Sequence, residues 1–247
     1  MTSSARCVAI LGGAGGIGRK LVEQLHAQGD DVCVLDLATS LERHRLDVPS
    51  IPLDLLSEGS VKAAAAELSR MWDRVDGFVN LAGYNSHLFP LAETETDYFD
   101  DVIAGNLRGT FLATKAFLPL LGGDAPSFVN VSSGLASFVR PGYGSYSAAK
   151  AGVIAMTKTL ALEWAPKVRV NAVAPGLVDT AFLRGGTGRS NEDAPVIVNV
   201  EPYLAAIPLK RLAQPEDVVG PILFLLGRSS SYMTGQVLWI NGGAYMP

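Results

Sequence analysis

Two residues of the stretch GSYSAAKAG (residues 144–152), Tyr146 and Lys150, have the types and the spacing for proton-transfer chemistry. In a helix, side chains four apart share a face, which would set an ammonium beside a phenol. A free phenol titrates near 10 and carries protons poorly at neutral pH, but a neighbouring cation favours its phenolate. Lowering that pKa by about three units asks for roughly 4 kcal/mol, which an ammonium supplies only when it is close and partly shielded from water. A phenol tuned in this way can take or return the proton of a substrate hydroxyl. A packing tyrosine next to a solvated lysine has the same spacing, so the pair alone decides nothing.

Near the start of the chain, the apolar run CVAILG leads into glycines at 12, 13, 15, 16 and 18, followed by an amphipathic stretch. A strand, a glycine-rich turn and a helix N-terminus make an anion site, because backbone N–H groups can approach a pyrophosphate where no Cβ intervenes. A tight turn with no ligand is the alternative. The second apolar run ends in VLDL, which places Asp36 eighteen residues after Gly18. An acid at about that spacing accepts hydrogen bonds from ribose hydroxyls and repels a 2′-phosphate, which favours NAD over NADP. No Arg or Lys directly follows it, although Arg19 and Arg43 are near in sequence. A helix-capping or solvated carboxylate is the other reading of Asp36.

These groups need elements to position them. Apolar, β-branched runs at 7–12, 31–37, 50–55, 77–83, 127–133, 168–176 and 235–242 predict strands. Helices are expected near 16–28, 58–72, 96–121, 144–164 and 215–227, with only about two turns in ATSLERHRLDVP between the second and third strands. Strand alternating with helix predicts an α/β fold, a doubly wound parallel sheet of about seven strands with helices on both faces. Ligands then gather beyond the carboxyl ends of the strands, where every motif named here falls. Residues 1–247 read as a single domain, within which 178–208, rich in Gly, Asn, Asp and Pro, reads as a substrate loop or lid, or as a disordered insertion.

Hydrophobic residues make up 48% of the chain and charged residues 18%, ample for a core. A formal charge of −4, with basic residues scattered, argues against nucleic acid or an anionic membrane as partner. Cys7 and Cys33 lie in apolar runs without CxxC or histidine neighbours and read as core thiols, so no metal site is expected. The first ten residues lack an export signal and no apolar run approaches a membrane span, which predicts a cytoplasmic protein.

Taken together, the motifs resemble the short-chain dehydrogenase/reductase family along essentially the whole chain. LGGAGGIG is similar to its glycine pattern, with Gly12, Gly16 and Gly18 in register; NLAG (residues 80–83) is similar to its NNAG, and Tyr146 to Lys150 to its YxxxK. Ser133 stands thirteen residues before the tyrosine, Asn106 lies in GNLRGTF, Pro175-Gly176 follow the sixth strand, and Gly235-Gln236 to Gly242-Gly243 close the chain. Leu11 and Leu81 depart from the family's threonine and second asparagine, so hydrogen bonds made there must be absent or supplied elsewhere. The short segment after Asp36 also departs where the outer edge of the adenine would lie.

The resemblance implies a Rossmann-type fold and an NAD(H)-dependent oxidoreductase acting on CH–OH groups, with Tyr146 as general acid/base. Lys150 would also bond the nicotinamide ribose, and Asn106 would anchor a water carrying protons from Lys150 to solvent. Ser133, at a strand end, can hold the substrate oxygen and stabilise charge on it. The cofactor would lie along Gly12, Gly15, Gly16, Ile17 and Gly18, then Asp36 and Leu37, Asp54 and Leu55, Asn80, Ala82 and Gly83, Tyr146 and Lys150, and Pro175, Gly176, Val178 and Thr180. Substrate would meet Ser133, Leu135, Arg140, Tyr143 and Tyr146, with Ser137, Phe138, Val139, Tyr84, Asn85 and His87 as further pocket residues; Arg140 could pair a substrate acid group or be solvated. Most of these are apolar, which suits an alicyclic, aromatic or acyl-type hydroxy or oxo compound. The ending AIPLKRLAQPEDVVG…GQVLWINGGAYM is similar to members that reduce 3-oxoacyl thioesters or oxidise cyclic secondary alcohols. A non-catalytic dinucleotide-binding protein is the alternative of another class. Helices 96–121 and 144–164, apolar on more than one side, are expected to pack against a second subunit in a homotetramer.

Overall fold

The computed structural model describes residues 5–186, 188–189, 191–196 and 198–246. The expectations for the first four residues, and for Thr187, Ser190 and Ile197 within 178–208, lie outside the described residues. The chain runs β1 (Cys7–Leu11), α1 (Gly16–Ala27), β2 (Asp31–Asp36), α2 (Ala38–Arg43), β3 (Ser50–Pro52), α3 (Glu58–Met71), β4 (Gly77–Asn80) and α4 (Thr96–Ile103). A π-helical turn (Ala104–Arg108) leads into α5 (Gly109–Phe117), then β5 (Ser127–Val131), α6 (Gly144–Trp164), β6 (Arg169–Pro175), α7 (Glu201–Ala206), α8 (Pro215–Leu226) and β7 (Val237–Ile240).

All seven strands pair in parallel in the order β3-β2-β1-β4-β5-β6-β7, the doubly wound arrangement expected from the alternation of elements. The strand order reverses between β1 and β4, which opens a crevice at their carboxyl ends. Register then gathers the motifs. Leu11 lies opposite Leu35 and Asn80, Asn80 opposite Asn130, and Val131 opposite Val173, so the turns leaving these strands emerge along one edge of the sheet.

Side chains alternate across β1 because the strand period is two. Ala9 and Leu11 join Phe78, Phe117 and Phe128 under α3 and α5, whereas Val8 and Ile10 join Leu21, Leu25, Ile222 and Leu225 under α1 and α8. Phe78 stacks on both Phe117 and Phe128 with centroids 4.8 and 4.9 Å away. Burial of each such side chain contributes about 1.5–3 kcal/mol, which fixes the strand ends that carry the site.

Three expectations are corrected. The third and fourth strands end earlier, at Pro52 and Asn80. The predicted continuous helix over 96–121 is interrupted by the π-helical turn, where the Asn106 amide donates to the Val102 carbonyl at 2.9 Å and competes for a ladder acceptor. The 178–208 segment contains a short 3-10 turn (Ala181–Arg184), started by the Thr180 hydroxyl accepting from the Phe182 N–H, and helix α7.

Candidate active site

At the end of β1 the chain turns with Gly12 at φ +82°, a conformation that favours glycine. A Cβ on Gly18 would fall 2.4 Å from the Gly12 carbonyl oxygen and 2.6 Å from the Gly13 Cα, so the turn and α1 meet backbone to backbone. Gly15 occupies the N-cap of α1 with no side chain to offer, and the first turn carries no acid. The N–H groups of Gly16, Ile17 and Gly18 precede the helical ladder, and the positive end of the helix dipole faces the cleft they line. A polyanion fits this cradle.

Asp36 closes the cradle laterally. Its carboxylate accepts from the Ala14 N–H at 2.9 Å and the Leu37 N–H at 2.8 Å. Burial raises its pKa, and these two bonds pull it back. Arg19 donates to the Ala14 carbonyl at 2.6 Å, while Arg43 pairs with Glu192 and Asp193 at 3.5 and 3.1 Å. Both guanidiniums are therefore engaged away from Asp36. Leu37, Asp54, Leu55, Ala82, Gly83, Pro175, Gly176, Val178 and Thr180 line the same cleft. Asn80 does not: it sits behind the wall, donating to Thr110 at 3.1 Å and accepting from the Ala82 N–H at 3.2 Å. That bond supports the turn where Leu81 departs from the family pattern, and Leu81 itself packs into the core.

On α6, Tyr146 and Lys150 are 6% and 3% exposed and share the face turned toward β5 and the cleft. The small residue at Gly152 admits Leu107, whose Cδ1 would lie 2.6 Å from a Cβ there. Lys150 Nζ donates to the Val131 carbonyl at 3.0 Å and stands 5.6 Å from the centroid of the Tyr146 ring. Burial lowers the Lys150 pKa to about 8. Burial also pushes the Tyr146 phenol above its ordinary 10, opposed by a hydrogen bond with the Ser133 hydroxyl. Within the chain itself burial thus moves the phenol upward, opposite to the shift expected from the Lys150 ammonium together with a bound nicotinamide. Ser133 also accepts from the Leu135 N–H at 3.2 Å, which orients its hydroxyl.

Asn106, expected as a water anchor, is fully buried behind the cleft. Its amide accepts from the Tyr84 N–H at 3.2 Å and donates to the Tyr84 and Val102 carbonyls, both at 2.9 Å, while its own carbonyl accepts from Thr110 at 2.7 Å. A Cβ on Gly83 would lie 2.5 Å from Asn106 Oδ1 and 2.9 Å from Lys150 Nζ, so both side chains abut Gly83.

Leu135, Phe138, Arg140, Tyr143, Tyr84 and Asn85 line the substrate half. His87, Ser137 and Val139 do not, because the loops carrying them turn outward; His87 packs on Phe89 and Tyr98 instead. Sequence reasoning missed Phe182, whose ring lies 5.7 Å from that of Tyr146, and Tyr203, whose hydroxyl bonds that of Tyr143 at 3.3 Å. Aromatics inside an otherwise polar 178–208 segment were the available signal. The same segment fastens to α2 through His44 with Glu192 at 2.9 Å and Thr39 with the Gly188 carbonyl at 3.3 Å. At its other side Arg189 lies 3.7 Å over the Tyr84 ring and pairs with Asp101 at 3.4 Å.

The family model described as enoyl-(acyl carrier protein) reductase matches residues 12–245. The 3-oxoacyl-[acyl-carrier-protein] reductase of Thermotoga maritima is 35% identical over 244 residues, covering 95% of each chain. The 2-(R)-hydroxypropyl-CoM dehydrogenase of Xanthobacter autotrophicus is 32% identical over 251 residues, covering 96% of this chain and 98% of that one. A solved 3-ketoacyl-(acyl-carrier-protein) reductase from Brucella melitensis, complexed with NADH, superposes with a TM-score of 0.87 at 27% identity over 98% of both chains. The chain is an oxidoreductase that belongs to the short-chain dehydrogenase/reductase family.

Proposed function

We propose that the chain interconverts a secondary alcohol and a ketone with NAD(H), using Tyr146 as the proton-transfer group. The observation that carries this reading is the convergence of Tyr146, Ser133 and Lys150 on a cleft whose other half is the open N-terminus of α1 beside Asp36. When bound along the glycine turn and Asp36, a nicotinamide would supply the two-electron donor or acceptor, and its positive oxidised form would lower the pKa of the buried phenol. In the oxidative direction Tyr146 takes the hydroxyl proton as the carbinol hydrogen departs as hydride; in reduction it returns that proton. Ser133 holds the reacting oxygen, and Lys150, titrating at about 8, can exchange its proton near neutral pH. Asn106 acts as a positioning residue by fixing Tyr84 and the Gly83 turn. Asp36, with no free cation beside it, supports NAD over NADP.

A 3-oxoacyl thioester is the second reading of the substrate, favoured by the Thermotoga and Brucella relatives and by the apolar wall of Leu135, Phe138 and Phe182. Exposed Phe111 on α5 and Leu162 on α6, 50% and 84% accessible, support a homo-oligomer, with a tetramer as the expected size in light scattering.

The deciding experiment follows NADH absorbance with NAD and NADP against secondary alcohols, cyclic hydroxy acids and 3-hydroxyacyl thioesters. Tyr146→Phe is expected to cost about 10³-fold in kcat, within the range of a general acid/base, and to leave NADH affinity within about threefold. Unchanged turnover removes Tyr146 from its role, tighter NADPH than NADH removes the reading of Asp36, and NADH binding without turnover of any substrate favours a dinucleotide-binding protein.

A further inference from the structure

Arg140 lies in the same cleft as Tyr146 and Ser133, between the Ser133–Ala136 turn and α6. Its guanidinium carbon sits 4.5 Å from the centroid of the Tyr203 ring and 5.2 Å from that of Phe138. Each platform is itself held. Tyr203 is tied to Tyr143 through their hydroxyls, and Phe138 stacks on Tyr245 at 5.4 Å with 7° between ring planes. Stacking uses the face of a guanidinium and leaves its N–H edge free for a bidentate acceptor.

Among the described residues, no carboxylate or carbonyl takes that edge. Arg189, the other arginine of the cleft, has its charge answered by Asp101. The only acids lining the cleft among the described residues, Asp36 and Asp54, belong to the half with the glycine turn. The half beside Tyr146 therefore combines an apolar and aromatic lining with two cations that no acid among the described residues answers, Lys150 held on the Val131 carbonyl beside the phenol and Arg140 set against two aromatic rings.

We propose that Arg140 is the anchor for a terminal oxyanion of the substrate, so that the compound whose hydroxyl or oxo group meets Tyr146 and Ser133 is an acid. The proposal rests on the alcohol–ketone reading above. The aromatic platforms make the anchor selective: a carboxylate, sulfonate or phosphate at one end of an apolar body is bound, and a neutral analogue of the same shape forgoes the paired charge-assisted hydrogen bonds of the fork.

The test compares acetoacetate, levulinate and cyclohexanone carboxylates with their methyl esters, as substrates of the wild-type holoenzyme and of Arg140→Gln and Arg140→Lys. For the acid length that fits, kcat/KM should exceed that of the ester, and Arg140→Gln should lower the acid-to-ester ratio by about 10- to 100-fold through KM, as expected for loss of a charged hydrogen-bond pair. Arg140→Lys should recover part of it, since it keeps the charge and loses the fork. Acid and ester used alike by the wild type, or a ratio unmoved in Arg140→Gln, overturns the proposal. A second readout is calorimetric titration of the NADH complex of Tyr146→Phe with the same acids and esters. Acid binding that weakens about tenfold in Tyr146→Phe/Arg140→Gln upholds the anchor even if no ketone is turned over, in which case only the alcohol–ketone reading fails. Acid binding that is absent, or indifferent to Arg140, overturns the anchor.

Discussion

Helices α1 and α8 are each twelve residues long and pack against one another on the same face of the sheet, yet their N-termini are finished in opposite ways. The start of α8 is completed by its own residues. Pro215 occupies the first turn, Gln214 and Asp217 form a reciprocal capping box, and Arg211 grips the Asp217 carboxylate at 2.5 and 2.8 Å. The start of α1 has Gly15 where α8 has Gln214, and no acid in its first turn. A glycine at the N-cap gives up only a few tenths of a kcal/mol relative to Ser, Thr, Asp or Asn, so α1 forgoes a small stabilisation that side chains supply at the start of α8. The difference separates scaffold from candidate site: the chain completes α8 by itself and leaves the start of α1 open toward the cleft.

The largest effect should come from a glycine exchange made in both helices. Gly18→Ala puts a Cβ 2.4 Å from the Gly12 carbonyl, and the backbone must shift; NADH affinity read by fluorescence titration should fall by at least about 100-fold, near 2.8 kcal/mol. Gly220→Ala in α8 meets nothing within 4 Å and should bind NADH as the wild type does, while gaining about 0.5–1 kcal/mol of stability. If Gly18→Ala bound NADH normally, the close backbone approach would not be a requirement of the site.

A finer test gives α1 the kind of cap that α8 has. Gly15→Asp, at a backbone conformation any residue adopts, should raise Tm by about 1 °C, from the few tenths of a kcal/mol that separate Gly and Asp caps, and weaken NADH about tenfold, because the new carboxylate occupies the anion position. A rise in Tm without loss of affinity would place the pyrophosphate elsewhere. The smallest effect is expected from Asp217→Asn, about 1 kcal/mol of stability in urea unfolding with NADH affinity unchanged. The Arg211 guanidinium, followed by the Gln214 N–H, holds the Asp217 carboxyl down at about 2, below its ordinary 3.8. Its contribution is therefore complete above about pH 4 and fades as pH falls toward 2. The gap between wild type and Asp217→Asn should stay constant from about pH 7 to 5 and narrow below about 4.

What could be read from the sequence follows the same division. The turn at Gly12–Gly18 and the Tyr146–Lys150 pair are local patterns, and their spacing alone brings their atoms together. Strand alternation was equally local, and so was the brevity of α2. Contacts between distant residues were not legible: Tyr203 reaches Tyr143 across 60 positions, and Glu192 reaches His44 across 148. Nor does spacing reveal where a charge points. Lys150 stands one turn from Tyr146 as expected and gives one of its three N–H groups to the Val131 carbonyl, while burial moves the phenol upward. Asn80 and Asn106 fell in the right motifs and on the wrong side of the wall, since a polar residue at a strand end or in a helix can serve the backbone as readily as a ligand.

The π-helical turn also gives Asn106 an unusual standing. Its carboxamide receives the N–H of Tyr84 and gives an N–H to the carbonyl of the same residue, as an adjacent peptide strand would. One side chain thereby counterfeits a rung of the sheet just past the end of β4, where no strand remains to pair with it. An isosteric carboxylate at this position would keep the shape and lose the imitation: with no N–H to give, it would set oxygen against the carbonyls of Tyr84 and Val102 at a fully buried position. Size is thus the lesser constraint at position 106; the alternation of donor and acceptor is what the loop leading to Gly83 and Tyr84 depends on.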